Sequence, residues 1–362
     1  MRLILPSILV GLAMNAVAAQ RSGDRPLVVH EWGTITTHHA ANGTPEGGLN
    51  RIGPSDALPS FVHRYEPAPT PSAERASLVK SPVTPGRPDV TMRLETPVMY
   101  FYPPPGSQPS PFDVSVRFRG GILNEFYPNA DAASQVDPTG SWDGGTLSNR
   151  VVGSLRWRAV SVNASSTFQQ TTSHVWLAPR RVRSAPVVTA AGEGEQYLFY
   201  RGVAHLDALM QTELAPSELR LRAPANLKWL AAPKTTIGAA WLLDVRPSGG
   251  SAIRELGAIV ISKDSAGREL RRLPLFTPRD YSADAVAALR RSMRLALVAR
   301  GLFDDEADAM LATWDASYFR SPGLRILYLV PQEWIDYHLP VTISIPAELT
   351  RVLVGRIDLA RP

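Results

Sequence analysis

The sequence contains no cysteine. That excludes disulfides, a thiolate nucleophile, Cys-ligated zinc or haem, and a lipid-modified cysteine anchor. Stability must then come from the core, and a hydrophobic content of 44% over 362 residues allows it. Lysine is nearly absent: 34 of the 38 basic residues are Arg and 4 are Lys (Lys80, Lys228, Lys234, Lys263). Two readings of that bias stand side by side: guanidinium forks gripping phosphate or carboxylate, or the codon usage of a GC-rich genome. The arginines are scattered. Their tightest groups, Arg180-Arg181 with Arg183 and Arg290-Arg291 with Arg294, are too short for a nucleic-acid footprint, so no nucleic acid is expected as partner. Several enzyme signatures are missing as well. His30-Glu31 is followed by Trp32-Gly33-Thr34 rather than by the remainder of HExxH, and there is no GxSxG elbow, Walker loop or GxGxxG. Zincin, elbow-type hydrolase, NTPase and dinucleotide chemistries therefore lack local support, while an enzyme with another motif stays open.

Beyond the first twenty residues no apolar run approaches the ~18 residues of a membrane helix, so no stable membrane insertion is expected after processing. Those first residues carry the clearest signal in the chain. Met1-Arg2 is a short cationic start, Leu3–Met14 an apolar run of 12 residues, and Ala16-Val17-Ala18 the small-x-small pattern of a signal-peptidase site. Residues 1–18 read as a secretory signal, which predicts an exported protein, periplasmic or extracellular. Its removal would leave 344 residues and lower the net charge from +5 to +4, since only Arg2 departs.

Downstream the pattern is that of short strands. Residues 28–39 read as a strand running into a turn at Asn42-Gly43. From 54 to 89 proline dominates, which predicts a wrapping loop. Val90–Tyr102 and Phe112–Phe118 read as strands, the second with strict apolar/polar alternation. Further β runs are read at Leu155–Val162, His174–Leu177, Gln196–Tyr200, Leu219–Arg222, Ile237–Val245 and Leu256–Ser262, separated by glycine turns. After residue 276 the period changes. Val286, Leu289, Met293 and Leu297 form one helical stripe, stopped by Gly301, and Ala307, Met310, Leu311, Trp314 and Tyr318 form a second. Strands return at Leu324–Val330, Val341–Ile345 and Val352–Leu359. The expected fold is a β-dominated α+β: sandwich-like antiparallel sheets over residues 19–275, then a helical pair and closing strands over 276–362, packed as one unit.

Three sets of residues are candidates for chemistry. His30, His38, His39 and His63, with Glu31 and Glu46 nearby, offer imidazole and carboxylate ligands, and His30 with His63 is the pair that could hold a divalent metal. Adjacent residues of a strand point to opposite faces, however, so His30 and Glu31 cannot share one ion. Glu95 and Glu125 sit among apolar neighbours. Converging, they could serve as acid and base on a glycosidic bond; alternatively each is bridged by an arginine such as Arg93, Arg117 or Arg201. The strand aromatics (Tyr100, Tyr102, Trp142, Trp157, Trp176, Trp229) could stack on sugars or fill a core. A polar cluster of His30, Glu31 and Glu95 with Tyr200 and Arg201 is the expected location of any site, because unpaired charge in such segments is costly.

The ordered series His30-Glu31-Trp32-Gly33-Thr34, Leu94–Tyr102 (LETPVMYFY), Leu198–Gly202 (LFYRG), Ala309–Trp314, Arg325–Tyr328 and Val352–Arg356 resembles a family of exported proteins of uncharacterised function from environmental bacteria. The resemblance covers nearly the whole chain after residue 18. It implies one integrated architecture and no particular reaction. Two functions follow as expectations: a non-catalytic binding or surface-associated module for polysaccharide or another cell-surface component, or a hydrolase using the His/Glu metal site or the carboxylate pair.

Overall fold

The computed structural model describes residues 25–51, 57–67, 86–138 and 140–360. Residues 1–18, expected to be a secretory signal, and most of the proline-rich stretch lie outside them. The described chain is a β-rich α+β fold. Its first strands are β1 (Leu27–His39), β2 (His63–Arg64), β3 (Met92–Tyr102), β4 (Phe112–Arg119), β5 (Gly121–Tyr127), β6 (Asp131–Val136), β7 (Gly140–Ser141) and β8 (Val151–Val162). Then come β9 (Val187–Val188), β10 (Gly194–Glu195), β11 (Leu198–Ala204), β12 (Gln211–Leu214), β13 (Glu218–Arg222), β14 (Lys234–Ile237), β15 (Ala240–Val245) and β16 (Ser251–Glu255). β17 (Ile259–Ser262), β18 (Glu269–Pro274), β19 (Gly323–Leu329), β20 (Val341–Ile343) and β21 (Ala347–Leu359) complete the set. Helices are α1 (His174–Leu177), α2 (Ala285–Ala299), α3 (Asp304–Thr313) and α4 (Gln332–His338).

Among the described residues sixteen strands join one large mixed sheet, whose main path runs β10-β9-β8-β5-β11-β3-β1-β21-β19-β15-β16. Its centre is the pairing of β1 with the last strand, β21, which is parallel over thirteen positions from Leu27↔Ala347 to His39↔Leu359. Two small sheets, β12-β13-β18 and β14-β17, lie apart from it. Five of the six segments of the ordered series lie side by side here, since β11, β3, β1, β21 and β19 are consecutive neighbours, and the sixth, Ala309–Trp314, belongs to α3 and the residue after it.

Each face of this sheet is covered. On one, Trp32, Val98, Tyr100, Leu327 and Val354 pack with the stripes of α2 (Leu289, Met293, Leu297) and of α3 with the turn beyond it (Met310, Trp314, Tyr318). On the other, Val29, Met99, Phe101, Ile326 and Leu353 pack with β4, β13 and α4. The helices form as their stripes require. Gly301, at φ +104°, ends α2 in a conformation that favours glycine. Glu306 accepts from the Phe303 amide at 2.6 Å and caps α3.

Three local readings are corrected. His174–Leu177 is a single helical turn, closed by Leu177 N to Ser173 O at 2.9 Å and Ala178 N to His174 O at 3.1 Å. A four-residue apolar run carries no period that separates strand from helix. Ile237–Val245 is broken at Gly238, so β14 pairs with β17 while β15 stays in the main sheet. The turn at Asn42-Gly43 forms, but it returns only to a bridge between His39 and Pro45, and β1 takes β3 and β21 as partners.

The central strands are also irregular. Trp32 pairs with Val98 and Thr34 with Glu95, so Gly33 alone opposes Thr96 and Pro97. This extra residue reverses the facing of β3: Met92 and Leu94 point to one core, Val98 and Tyr100 to the other. A Cβ on Gly33 would lie 2.8 Å from the Pro97 Cα, so glycine is required for the close approach. Thr96 sits at φ +47°, which a β-branched residue rarely adopts. At the same level β5 has its own irregularity, with Arg201 opposite Glu125 but Gly202 opposite Leu123.

Candidate functional site

The five residues expected to form one polar cluster fall into three separate networks. Alternation divides them first: His30 and Glu31, like Tyr200 and Arg201, are adjacent on a strand and point to opposite faces.

Glu31 lies on the face shared with β4 and α4 and is fully buried. Tyr200 donates its hydroxyl to Oε1. Arg351, the cross-strand neighbour on β21, donates Nε to Oε2 at 2.5 Å and Nη1 to the Leu339 carbonyl at 2.5 Å. Burial and then the Glu31 carboxylate push the Tyr200 pKa well up, which keeps it a donor. Burial opposes the charge on Arg351, but Glu31, Tyr200 and Asp336 more than restore it. Every oxygen of Glu31 is thus engaged, and the group is a structural clasp between β1, β11 and β21.

His30 faces the helices. Its Nδ1 lies 2.8 Å from Glu306 Oε2, and Tyr102 donates to Glu306 Oε1 at 2.8 Å. The ring packs at a tilt against Phe303, centroids 4.5 Å apart. This set docks the start of α3 on the sheet.

The third network occupies the same helix-side face, at the level of the bulges. Arg93 Nε lies 3.3 Å from Glu95 Oε1, and Thr36 donates to Glu95 Oε2 at 3.1 Å. Arg201 Nη1 approaches Glu125 at 4.0 Å, with Arg64 Nε 3.8 Å from the other oxygen. Arg201 therefore serves Glu125 rather than Glu31. On β21, Asp358 receives a two-pronged contact from Arg356 (3.0 and 2.6 Å) and lies 3.4 Å from both Arg325 and His38. Burial opposes its charge, yet the two arginines and His38 hold its carboxyl far below the usual range. Arg325, lowered to about 10 by burial and then by Arg356, donates to the Ser317 and Tyr318 carbonyls and secures the turn after α3.

The histidines do not assemble a metal site. His30 meets Glu306, His38 meets Asp358, His39 Nδ1 meets Thr212 Oγ1 at 2.7 Å, and His63 meets Glu193 at 2.8 Å. Four strand steps separate β2 from β1, roughly 19 Å at the usual spacing, so His30 and His63 cannot share an ion. Glu46 is exposed and contributes only its amide, to the His38 carbonyl. Among the described residues no group of three or more His, Asp or Glu could hold a metal.

Tyr100 and Tyr102 offer no sugar platform either. Tyr100 is buried and donates to the Pro179 carbonyl at 3.0 Å, and Tyr102 meets Glu306. Trp142, Trp157 and Trp176 are core residues. Trp229 is also buried in the core, at 6% exposure, and its edge lines an open groove of about 250 Å³ with Arg119, Arg150, Lys228, Asn149, Asn226, Asp137, Leu206, Tyr337 and His338. Asn149, Leu206 and Asn226 also line an adjoining hollow of about 400 Å³ with His205, Asp207, Thr91 and Pro45. The two form one groove. The Arg119 guanidinium lies 5.1 Å over the Tyr337 ring. His338 Nδ1 bonds the Arg119 carbonyl at 3.0 Å, and burial, followed by the Arg119 charge against that bond's opposing effect, lowers its pKa to about 4. A carbonyl only accepts, so Nδ1 carries the proton and Nε2 is left as an acceptor.

Of the groove residues, the sequence singled out only Trp229 and Lys228. Tyr337 and His338 sit on α4, a helix too short for a clear stripe, and Arg119 ends a strand read for its apolar alternation. Arg351 and Arg356 flank the apolar run Val352–Val354 of the closing strand, a signal from which Arg351 could have been read.

No family model matches the chain, and no curated protein matches it. Among solved structures, the Fcho1 Mu homology domain of Danio rerio with bound Eps15 peptide aligns with it at 9% identity and a TM-score of 0.30, covering 93% of this chain and 95% of that one.

Proposed function

We propose that this chain is an exported, non-catalytic binding module that holds a polysaccharide in the groove between Tyr337 and His205. The observation that carries the reading is the composition of that groove. Apolar surface from Tyr337, Leu206 and the edge of Trp229 lies beside two amides, three cations and a neutral imidazole acceptor. Sugar recognition needs this mixture: apolar contact for ring C–H faces and convergent donors and acceptors for hydroxyls. The buried acids support a binding rather than a catalytic role, since Glu31, Glu95, Glu125 and Asp358 each lie against an arginine.

Affinity electrophoresis in gels cast with a panel of polysaccharides tests the reading. Retardation by at least one polymer is expected, and its loss when the exposed Asn149 and Asn226 are both replaced by Ala, with an unchanged melting temperature. No retardation by any polymer of the panel would overturn it. Export is checked by N-terminal sequencing of the secreted protein, which should begin near Ala19.

A hydrolase using Glu95 and Glu125 is the second reading. It is favoured by one observation, the positive φ of Thr96 beside Glu95, since strained backbone gathers at active sites. Release of reducing sugar that disappears in both Glu95→Gln and Glu125→Gln would establish it in place of the first.

A further inference from the structure

Resting on the reading of the groove as a saccharide site, we infer that its ligand is an acidic polysaccharide, with a uronate carboxylate seated among Arg119, Arg150 and Lys228.

The charge balance points this way. Three cations face a single acid, Asp137, in this part of the groove. Among the described residues none of the three forms an ion pair, whereas Arg156, Arg158, Arg272 and Arg294 on the surface each do. The neighbouring hollow over β4, β6 and β8 is answered in larger part: Arg156 lies 2.5 Å from Asp113 and Arg158 2.5 Å from Asp131, which leaves Arg117 as its one arginine without an ion pair among the described residues.

The groove cations are also held in place without being neutralised. Tyr337 supports the Arg119 guanidinium. Arg150 donates Nε to the Asp137 carbonyl at 3.1 Å, which leaves its terminal nitrogens for a ligand. A planar carboxylate matches such forks.

The remaining polar groups narrow the class. A bare inorganic oxyanion presents only acceptors and would gain nothing from His338 Nε2, which is itself an acceptor. A uronate presents a carboxylate to the cations and, on the same ring, hydroxyl donors to His338 and to the amide oxygens of Asn149 and Asn226. The hollow beyond, with His205 and Asp207, extends the groove past one sugar unit, as a polymer requires.

Isothermal titration of the full chain with polygalacturonate, its methyl-esterified form, a neutral glucan and inorganic sulfate tests the inference. Polygalacturonate should bind at least about tenfold more tightly than the ester, which keeps every ring contact and loses the charge. Its affinity should fall along a salt series. Arg150→Gln and Lys228→Gln should each weaken it by roughly tenfold without moving the thermal melt. Equal binding of the ester or the glucan would overturn the acidic ligand and leave the saccharide groove standing. Binding of sulfate but of no polymer would overturn both. Polygalacturonate binding untouched by both substitutions would place the carboxylate elsewhere and refute the inference.

Discussion

Arg351→Ala should cost about 3–5 kcal/mol. The magnitude follows from where the guanidinium sits. Arg351 and Glu31 are 3% and 0% exposed, and Arg351 Nε reaches Glu31 Oε2 at 2.5 Å. Truncation leaves a carboxylate in the interior with only the Tyr200 hydroxyl as donor, and it also frees the Leu339 carbonyl. Losing one partner of a buried pair is expensive because the other charge stays desolvated; losing both is not. Glu31→Gln should be costly for the same reason, by about 3–5 kcal/mol, since a neutral amide keeps an oxygen for Arg351 but leaves the guanidinium buried with only the exposed Asp336, 3.8 Å away, as counter-charge. The double replacement Glu31→Leu with Arg351→Met should cost less than Arg351→Ala alone. Urea melts followed by tryptophan fluorescence read all three. The clasp reasoning fails if Arg351→Ala costs under about 1 kcal/mol, or if the double variant is as unstable as the sum of its parts.

Acid should weaken the fold in a defined window. His39 and His338 have pKa values lowered from 6.5 to about 4, mainly by burial, with the His38 charge assisting at His39. Between those values the unfolded chain binds protons that the folded chain refuses. Stability is thus complete above about pH 6.5 and declines as pH falls toward 4, by on the order of 3 kcal/mol for each histidine. Urea midpoints across the window should show the slope, and His39→Gln should flatten it; an unchanged slope would remove His39 from the account. Trp314→Ala should cost about 3–5 kcal/mol, because the indole is buried between α3 and the sheet and stacks on Tyr318; a loss under about 1 kcal/mol in the same melts would place the helix outside the core. Thr96→Gly should stabilise by about 1 kcal/mol by relieving the positive φ and removing a buried hydroxyl without a hydrogen-bond partner; a calorimetric melt shifted downward would show that the bulge stores no strain.

Most elements were legible because their periods were long enough to be unambiguous. The stripe of α2 and the alternation of β4 leave one choice of face. Failures came where the signal was short. Four residues of α1 and seven of α4 span two turns or fewer, so neither announces a period. The pairing of β1 with β21 was not readable at all. Each strand of a parallel pair is buried on both faces, which removes the alternation that would identify a partner, and some 320 residues separate Glu31 from Arg351.

The polar residues were legible as types but not as partners, and the reason is the same geometry. A buried acid in a strand announces that a cation lies near, because an unanswered charge would not be tolerated. It does not announce which side of the sheet the cation is on. That depends on parity, and parity here is reset by the extra residue opposite Gly33. Counting in twos from Leu94, on the face of the β4 and α4 core, predicts that Val98 shares that face; the bulge places it with the helices instead. Glu95 and Tyr200 then belong to opposite faces, and Glu31 finds Tyr200 and Arg351 while Arg201 finds Glu125. The clasp residues are thus consumed by holding the central strands together. The groove cations Arg119, Arg150 and Lys228, on which the proposed ligand site rests, lie outside the central strands, at a strand end and in loops, where sequence pattern is weakest.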